Sequence, residues 1–168
     1  MPRPNRVSHE GIGSREFSEF FDRYARELAA AVALATGDTA AAEDAIQEAM
    51  ASAYSDWDRV SRMGRPDIWV LRVAQRKAID GWRKRHREGA IDDESTRASV
   101  PDVVQRLWVR WGLERLTPED RMLVILRHRD NLSVDEIAVA VGKPTNTVAV
   151  ALKRARRRLR NLLKQADQ

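Results

Sequence analysis

The sequence is poor in cysteine and histidine, two residues that often act as nucleophiles, bases or metal ligands. It has no cysteine among its 168 residues, which excludes disulfides, thiolate catalysis and cysteine-ligated zinc. Its three histidines, His9, His86 and His128, are too scattered for a metal site. It contains no glycine-rich phosphate loop and no nucleophile paired with a base. We therefore expect a protein that is not an enzyme and that needs no cofactor and no metal.

Long hydrophobic runs are also absent. No apolar stretch approaches the roughly 20 residues that a helix needs to cross a bilayer. Residues 1–15 have no apolar segment and do not resemble a secretory signal, so we expect a disordered tail there. These features predict a cytoplasmic protein that does not interact with a membrane.

The charged residues are distributed in blocks. The net charge is +5 and the isoelectric point is near 10.1. Residues 38–58 include six acidic residues and no Lys or Arg, whereas 76–87 and 153–164 are strongly basic. Solvated helix faces would usually mix the two signs. The separate blocks therefore indicate distinct binding faces, and the basic ones favour nucleic acid.

Apolar residues recur at spacings of three and four along nearly the whole chain, which predicts an all-α fold. One stripe includes Phe17 to Val32, and a second includes Ile46 to Trp57, with Tyr54 among its members. Between residues 88 and 101 the chain becomes acidic and rich in small residues, as in a flexible linker. We therefore expect two small helical domains, at 16–87 and 102–168, joined by an acidic linker at 88–101.

The sharpest local pattern runs from Ser133 to Leu163. A helix capped by Ser133 should end near Val141, and Gly142 should supply the positive φ of a tight turn before a second, basic helix. This is a helix-turn-helix layout, although an ordinary helical hairpin is the simpler alternative. The N-terminal residues of such a second helix contact bases in the major groove, and its basic residues contact phosphates. The candidate DNA-binding residues are Thr145, Asn146, Thr147, Lys153, Arg154, Arg156 and Arg157.

Several short motifs, each weak alone, occur in a defined order. They are Gly37-Asp38, Ala42-Glu43-Asp44, Gln47-Glu48, Trp57, residues 69–74, Ile79-Asp80, Leu116-Thr117-Pro118, Leu132-Ser133, Glu136-Ile137-Ala138, Thr147-Val148 and Arg154-Ala155-Arg156. With these motifs the chain, from about Phe17 to Leu163, resembles the extracytoplasmic-function (ECF) sigma factors of the sigma-70 family. The resemblance implies sigma region 2 in the first domain and sigma region 4 in the second.

The resemblance also implies partners. Asp44, Gln47 and Glu48 would bind the β′ clamp helices of core RNA polymerase, and region 4 would bind the β flap. An anti-sigma factor is a further candidate partner. The helix-turn-helix would meet the −35 element of promoter DNA. The basic helix of region 2 would meet the −10 element through Arg76, Lys77, Arg83, Lys84, Arg85 and Arg87.

The chain departs from the family at expected DNA-reading positions. Ala149 and Val150 stand where relatives often have polar residues, and Arg76 stands where Asn is common. Polymerase binding is therefore better supported than any particular promoter sequence. Two alternatives differ in class: a stand-alone dimeric helix-turn-helix regulator, and a helical interaction protein with no nucleic-acid role. The acidic helix near Glu48 and the separate basic helix near Arg83 argue against the regulator.

Overall fold

The computed structural model describes residues 7–88 and 112–166. No strand occurs within these residues, so the all-α prediction is confirmed for this part of the chain. The helices are α1 (Val7–Thr36), α2 (Thr39–Ser55), α3 (Trp57–Val60), α4 (Pro66–Arg87), α5 (Pro118–His128), α6 (Val134–Val141) and α7 (Thr145–Ala166). We call residues 7–88 the N-terminal half and residues 112–166 the C-terminal half.

Two elements differ from the sequence prediction. Helix α1 begins at Val7, so residues 7–15 of the predicted tail are helical. The short helix α3 was not predicted, because four residues are too few to show a period. Most of the predicted linker, residues 89–101, and the apolar stripe at 104–111 lie outside the described residues. The domain boundaries stay a prediction.

Helix ends lie where capping residues predict them. Gly37 ends α1 with φ of 76°, and the Asp38 carboxylate accepts a hydrogen bond from the Ala41 amide at 2.9 Å. Pro66 occupies the first turn of α4, where its missing amide proton costs no helical hydrogen bond. In the C-terminal half, Thr117 and Ser133 cap α5 and α6. Local chemistry therefore sets the helix boundaries that position the functional faces.

Small residues let the helices of the N-terminal half pack closely. Helices α1, α2 and α4 contact one another, and α2 buries Ala42, Ala45, Ala49 and Ala53 along one side. Larger side chains fill the remaining space; Met50, Val32 and Val70 are among the most deeply buried. This packing leaves the acidic side of α2 and much of the basic surface of α4 exposed to solvent.

The two halves contact each other, which the sequence did not predict. Helix α1 packs on α5, and α4 packs on α6. The buried apolar residues of both halves belong to one continuous cluster, which includes Val32, Leu71, Met122 and Ile137. The faces of α4 and of the helix-turn-helix therefore lie next to each other.

Candidate nucleic-acid and partner interfaces

The acidic face of α2 is open to solvent. Asp44, Gln47 and Glu48 are exposed, and their spacing of three and four places them on one side of the helix. Glu48 forms an ion pair with Lys77 of α4. The structure therefore brings Asp44, Gln47 and Glu48 together, and it joins one of them to a residue predicted to bind DNA.

An aromatic residue extends this face. Tyr54 lies on the same outward side of α2 as Gln47, at a separation of seven residues. It is 53% exposed, although the sequence pattern placed it in the apolar stripe. Its ring packs against that of Phe17, with 4.9 Å between centroids. Tyrosine is enriched at interface centres, so Tyr54 joins the candidate partner surface. Tyr54 directly follows Ala53, which is buried. Neighbouring residues of a helix point about 100° apart, so this position indicated that Tyr54 faces outward, and sequence reasoning missed it.

The basic residues of α4 point in several directions. Arg76, Arg83 and Arg87 share one side, because they are separated by seven and four residues. Lys77 and Lys84 lie about a quarter turn away, and Arg85 lies on the opposite side. The six predicted −10 residues therefore cannot all contact one DNA surface.

Acidic residues of the same chain pair with half of this basic set. Arg85 lies 3.1 Å from an oxygen of Asp38. Arg83 pairs with Asp80 at 3.6 Å and also with Glu119 of α5. Together with Lys77, these residues must exchange an internal partner for a phosphate if they bind DNA.

The tryptophans of α4 are half-buried. The Trp82 ring stacks on His86 with 3.7 Å between centroids, and the Arg59 guanidinium lies over the Trp69 ring at 5.8 Å. The structure places both tryptophans at the edge of the core with polar neighbours on one side.

The helix-turn-helix has its predicted geometry. Ser133 and Glu136 form a reciprocal capping box at the start of α6. Gly142 has φ of 67°, the left-handed conformation that ends α6. Val148 is 1% exposed and packs α7 back on the core, with Ile137 fully buried in the same cluster. The turn therefore holds α7 with a defined side facing outward.

The outward side of α7 carries four exposed residues in line. Asn146, Val150, Lys153 and Arg157 follow at spacings of four, three and four, opposite the buried residues Val148, Leu152 and Ala155. Val150 is 69% exposed at the centre of this side. An exposed valine can contact a thymine methyl group but cannot hydrogen-bond to a base. We call these four residues the reading face.

The remaining predicted −35 residues flank the reading face, and two have partners within the chain. The Arg154 guanidinium donates a hydrogen bond to the buried Asp120 carboxylate at 3.1 Å. The Thr145 hydroxyl donates to Asp135 at 3.0 Å. Thr147 and Arg156 are exposed. The Asp120 carboxylate therefore positions Arg154, while the Thr117 hydroxyl accepts a hydrogen bond from the Asp120 amide.

Sequence reasoning missed a buried arginine beneath the helix-turn-helix. Arg121 is 8% exposed, and its guanidinium donates to the carbonyls of Leu113, Glu114 and Leu116 at 2.8, 3.1 and 3.2 Å. Burial lowers the pKa of Arg121 below its ordinary value. The three carbonyls compensate the buried charge and fix the segment before α5. No periodic pattern could reveal this role, because arginine usually lies at the surface.

Metal and membrane sites are not found in the described parts of the chain. No group of three or more His, Asp or Glu side chains there could hold a metal ion. None of the described helices combines the length and apolar character of a membrane span.

Two family models match the chain, one in each half. The model for sigma-70 region 2 matches residues 20–88, and the model for sigma-70 region 4 matches residues 109–159. A solved structure of the sigma factor RpoE from Bartonella quintana, in complex with the anti-sigma factor NepR, has the same fold, with a TM-score of 0.71 and 21% identity. The match covers 89% of this chain and 98% of RpoE.

Curated relatives match over nearly their full length. The RNA polymerase sigma-E factor of Streptomyces avermitilis is 30% identical over 156 residues, which cover 90% of this chain and 87% of the relative. The ECF RNA polymerase sigma factor SigL of Mycobacterium tuberculosis is 30% identical over 154 residues, which cover 86% and 87%. The chain therefore belongs to the sigma-70 family, within its extracytoplasmic-function group.

Proposed function

We propose that this sigma factor binds core RNA polymerase through the acidic side of α2 and reads promoter DNA through α4 and α7. The observation that carries the proposal is the arrangement of opposite charges: an exposed acidic face on α2, and basic residues on α4 and α7. A single surface could not serve both a basic protein partner and DNA. The cytoplasm is the compartment that this function requires.

Polymerase docking rests on Asp44, Gln47 and Glu48. Two carboxylates and an amide on one exposed side complement a basic helical partner, and charge complementarity of this kind favours encounter and correct orientation. The family resemblance supports the β′ clamp helices as that partner, and region 4 would bind the β flap. Tyr54 adds apolar area next to this charged group.

Promoter reading is divided between two helices. The reading face of α7 offers Asn146 to base edges at the −35 element, and asparagine can pair bidentately with adenine. Lys153, Arg156 and Arg157 supply phosphate contacts, which hold the protein on DNA without selecting sequence. On α4, the side with Arg76, Arg83 and Arg87 would meet the −10 element. The chemistry of transcription stays with the polymerase, so the proposal needs no catalytic residue in this chain.

An anti-sigma factor is part of the proposal as a regulator. The structurally similar RpoE binds the anti-sigma factor NepR. That complex supports regulation by a protein partner here. Binding to polymerase is therefore measured with the chain free of any anti-sigma factor.

Charge reversal on α2 tests the docking proposal. The double variant Asp44→Lys, Glu48→Lys should weaken binding to core polymerase by about tenfold or more, because like charges then face each other. Gln47→Lys provides a second variant that keeps the Glu48–Lys77 ion pair. The matched control is Asp22→Lys, Asp58→Lys, which makes the same charge change at exposed sites on α1 and α3.

The measurement is fluorescence anisotropy of labelled chain titrated with core polymerase, with circular dichroism to verify helicity. Docking through α2 predicts a loss of affinity for both α2 variants and none for the control. Equal affinities for all four proteins would show that core polymerase does not bind at this face.

A further inference from the structure

We infer that the cleft between α4 and the helix-turn-helix binds a small molecule with adjacent phosphate groups, either a nucleoside polyphosphate or an inorganic polyphosphate. The cleft has a volume of about 640 Å³. Five cationic side chains and three carboxylates line it, so the lining carries a net charge of +2. The inference goes beyond the proposed function, and its tests use neither polymerase nor promoter DNA.

The three carboxylates of the cleft already have cationic partners. Asp80 and Glu119 both pair with Arg83, and the Asp80 oxygen lies 3.6 Å from the guanidinium. The buried Asp120 carboxylate accepts a hydrogen bond from Arg154 at 3.1 Å. Two arginines therefore satisfy all the acidic groups of the lining and leave none for its other cations.

The other three cations of the lining are Arg72 and Arg76 of α4 and Lys143 of the turn. They form no ion pair with the described residues. Arg72 and Arg76 are four residues apart, so their side chains lie on the same side of α4. Uncompensated charges of one sign in a concave site focus their field into it. The cleft therefore favours an anionic ligand.

The turn of the helix-turn-helix makes room for one of these guanidinium groups. A Cβ at Gly142 would lie 3.1 Å from the Arg72 Nε and 3.2 Å from its Nη2. Gly142 also has φ of 67°, a conformation that glycine adopts without steric cost. The turn therefore leaves open the space that the Arg72 guanidinium occupies, one residue before Lys143.

The charge of the cleft indicates which anions it fits. Three free cations match several negative charges held close together, and adjacent phosphates supply them. Guanidinium groups donate paired hydrogen bonds to phosphate oxygens. Val141 and Ala151 add partly exposed apolar surface, on which the flat ring of a nucleoside can lie.

The size of the cleft indicates a small molecule. Its volume lies within the range of small-molecule sites, roughly 300–1,000 Å³. A sphere of that volume is about 11 Å across, less than the roughly 12 Å width of the major groove alone, so duplex DNA cannot enter. Arg72 and Lys143 also lie outside both sets of residues proposed to contact the promoter.

Isothermal titration calorimetry of the full chain with inorganic tripolyphosphate tests the site. The cleft variant Arg72→Gln, Lys143→Gln removes two free cations, and both side chains are exposed, so the fold should be kept. Circular dichroism verifies this. The matched control Arg158→Gln, Lys164→Gln makes the same change in net charge at exposed residues of α7 outside the lining.

We expect one tripolyphosphate per chain and a loss of affinity of about tenfold or more in the cleft variant, because two charge-assisted contacts are removed. The control should lose about twofold or less, since its charges are distant and screened. Equal losses in both variants would show that tripolyphosphate responds only to the net charge of the chain, and would overturn the site. Absence of binding to the wild-type chain would also overturn it.

A second variant changes the affinity in the opposite direction. Glu119→Gln releases Arg83 from one carboxylate and makes the lining more positive, so tripolyphosphate should bind about threefold more tightly. The matched control Glu19→Gln removes one carboxylate and its ion pair with Arg15 on α1, and should leave the affinity unchanged. A gain of the same size in both variants, or in neither, would contradict the inference.

Three further probes identify the ligand class. Inorganic phosphate should bind about tenfold more weakly than tripolyphosphate, because one phosphate cannot reach all three cations; equal affinity would refute the requirement for adjacent phosphates. Tighter binding of adenosine triphosphate than of tripolyphosphate would identify a nucleoside polyphosphate, and weaker binding an inorganic one. A single-stranded DNA oligonucleotide that loses affinity in the cleft variant, when tripolyphosphate does not, would assign the cleft to nucleic acid and overturn the inference.

Discussion

Helices α4 and α7 are both basic, but more of the basic side chains of α4 form ion pairs within the chain. In α4, Lys77, Arg83 and Arg85 pair with acidic residues of the chain. In α7, Arg154 pairs with Asp120, whereas Lys153, Arg156 and Arg157 form no ion pair with the described residues. A cluster of positive charge in a sequence therefore does not by itself show that the charges are available to DNA.

This difference has an energetic consequence. A free surface cation gains a phosphate contact and releases counterions. A paired cation must first give up an interaction worth about 0–1 kcal/mol, so its net gain is smaller. We therefore expect α7 to supply most of the initial affinity for promoter DNA, and α4 to contribute less, because its paired cations must first leave their acidic partners.

The largest expected effect concerns the scaffold beneath α7. Replacing Arg121 with Met removes three hydrogen bonds, of which the one to Leu116 is buried and those to Leu113 and Glu114 are partly buried. An unsatisfied buried group costs about 1–3 kcal/mol and a partly buried one less, so the free energy of unfolding should fall by about 2–4 kcal/mol. Urea denaturation followed by circular dichroism measures the change.

The control is Arg158→Met, at an exposed site on α7, which should change stability by less than about 0.5 kcal/mol. An Arg121 variant as stable as this control would show that the buried guanidinium does not support the C-terminal half.

The next effect concerns sequence choice by α7. Asn146→Ala should lower discrimination between −35 variants by about 1–3 kcal/mol, because a bidentate base contact is lost. Overall affinity should fall less, since phosphate contacts remain. The control is Asn161→Ala, an exposed asparagine about four turns further along the same helix.

A promoter-variant binding series with the holoenzyme provides the measurement. Preserved −35 preference in the Asn146 variant would mean that the reading face is placed on the wrong side of α7. Equal losses in both asparagine variants would point to a general effect on the helix.

The smallest effect compares one arginine from each helix. Arg157→Ala should weaken binding to all sequences alike and reduce the slope of log affinity against log salt by about 1. Arg85→Ala should change the slope by less than half as much, because Arg85 pairs with Asp38 on the side of α4 away from Arg76. Holoenzyme binding over a salt series measures both slopes. A larger change for Arg85 would reverse our assignment of free and paired charges.

Local signals in the sequence were enough to predict much of the fold. The cap at Ser133 and the turn at Gly142 depend on neighbouring residues only, and each was predicted correctly. The buried residues of α7, Val148, Leu152 and Ala155, recur at spacings of four and three, as the helical period of the sequence requires. That the exposed side of α7 contacts DNA stays a prediction.

Interactions between distant residues could not be predicted in this way. Arg65 and Glu136 are 71 positions apart, and no local pattern links them. The burial of Arg121 depends on carbonyls of the preceding segment, and the exposure of Tyr54 depends on how α1 packs on α2. A single sequence indicates which residues are basic, but tertiary packing decides which of them are paired.

Initiation by reconstituted polymerase tests the central claim most directly. Core polymerase is mixed with the chain and with fragments of genomic DNA, and the 5′ ends of the transcripts are mapped. The account predicts discrete start sites that appear only when the chain is present and disappear with the Asp44→Lys, Glu48→Lys variant. Tight binding of the chain alone to specific DNA, with no new start sites when polymerase is added, would contradict it.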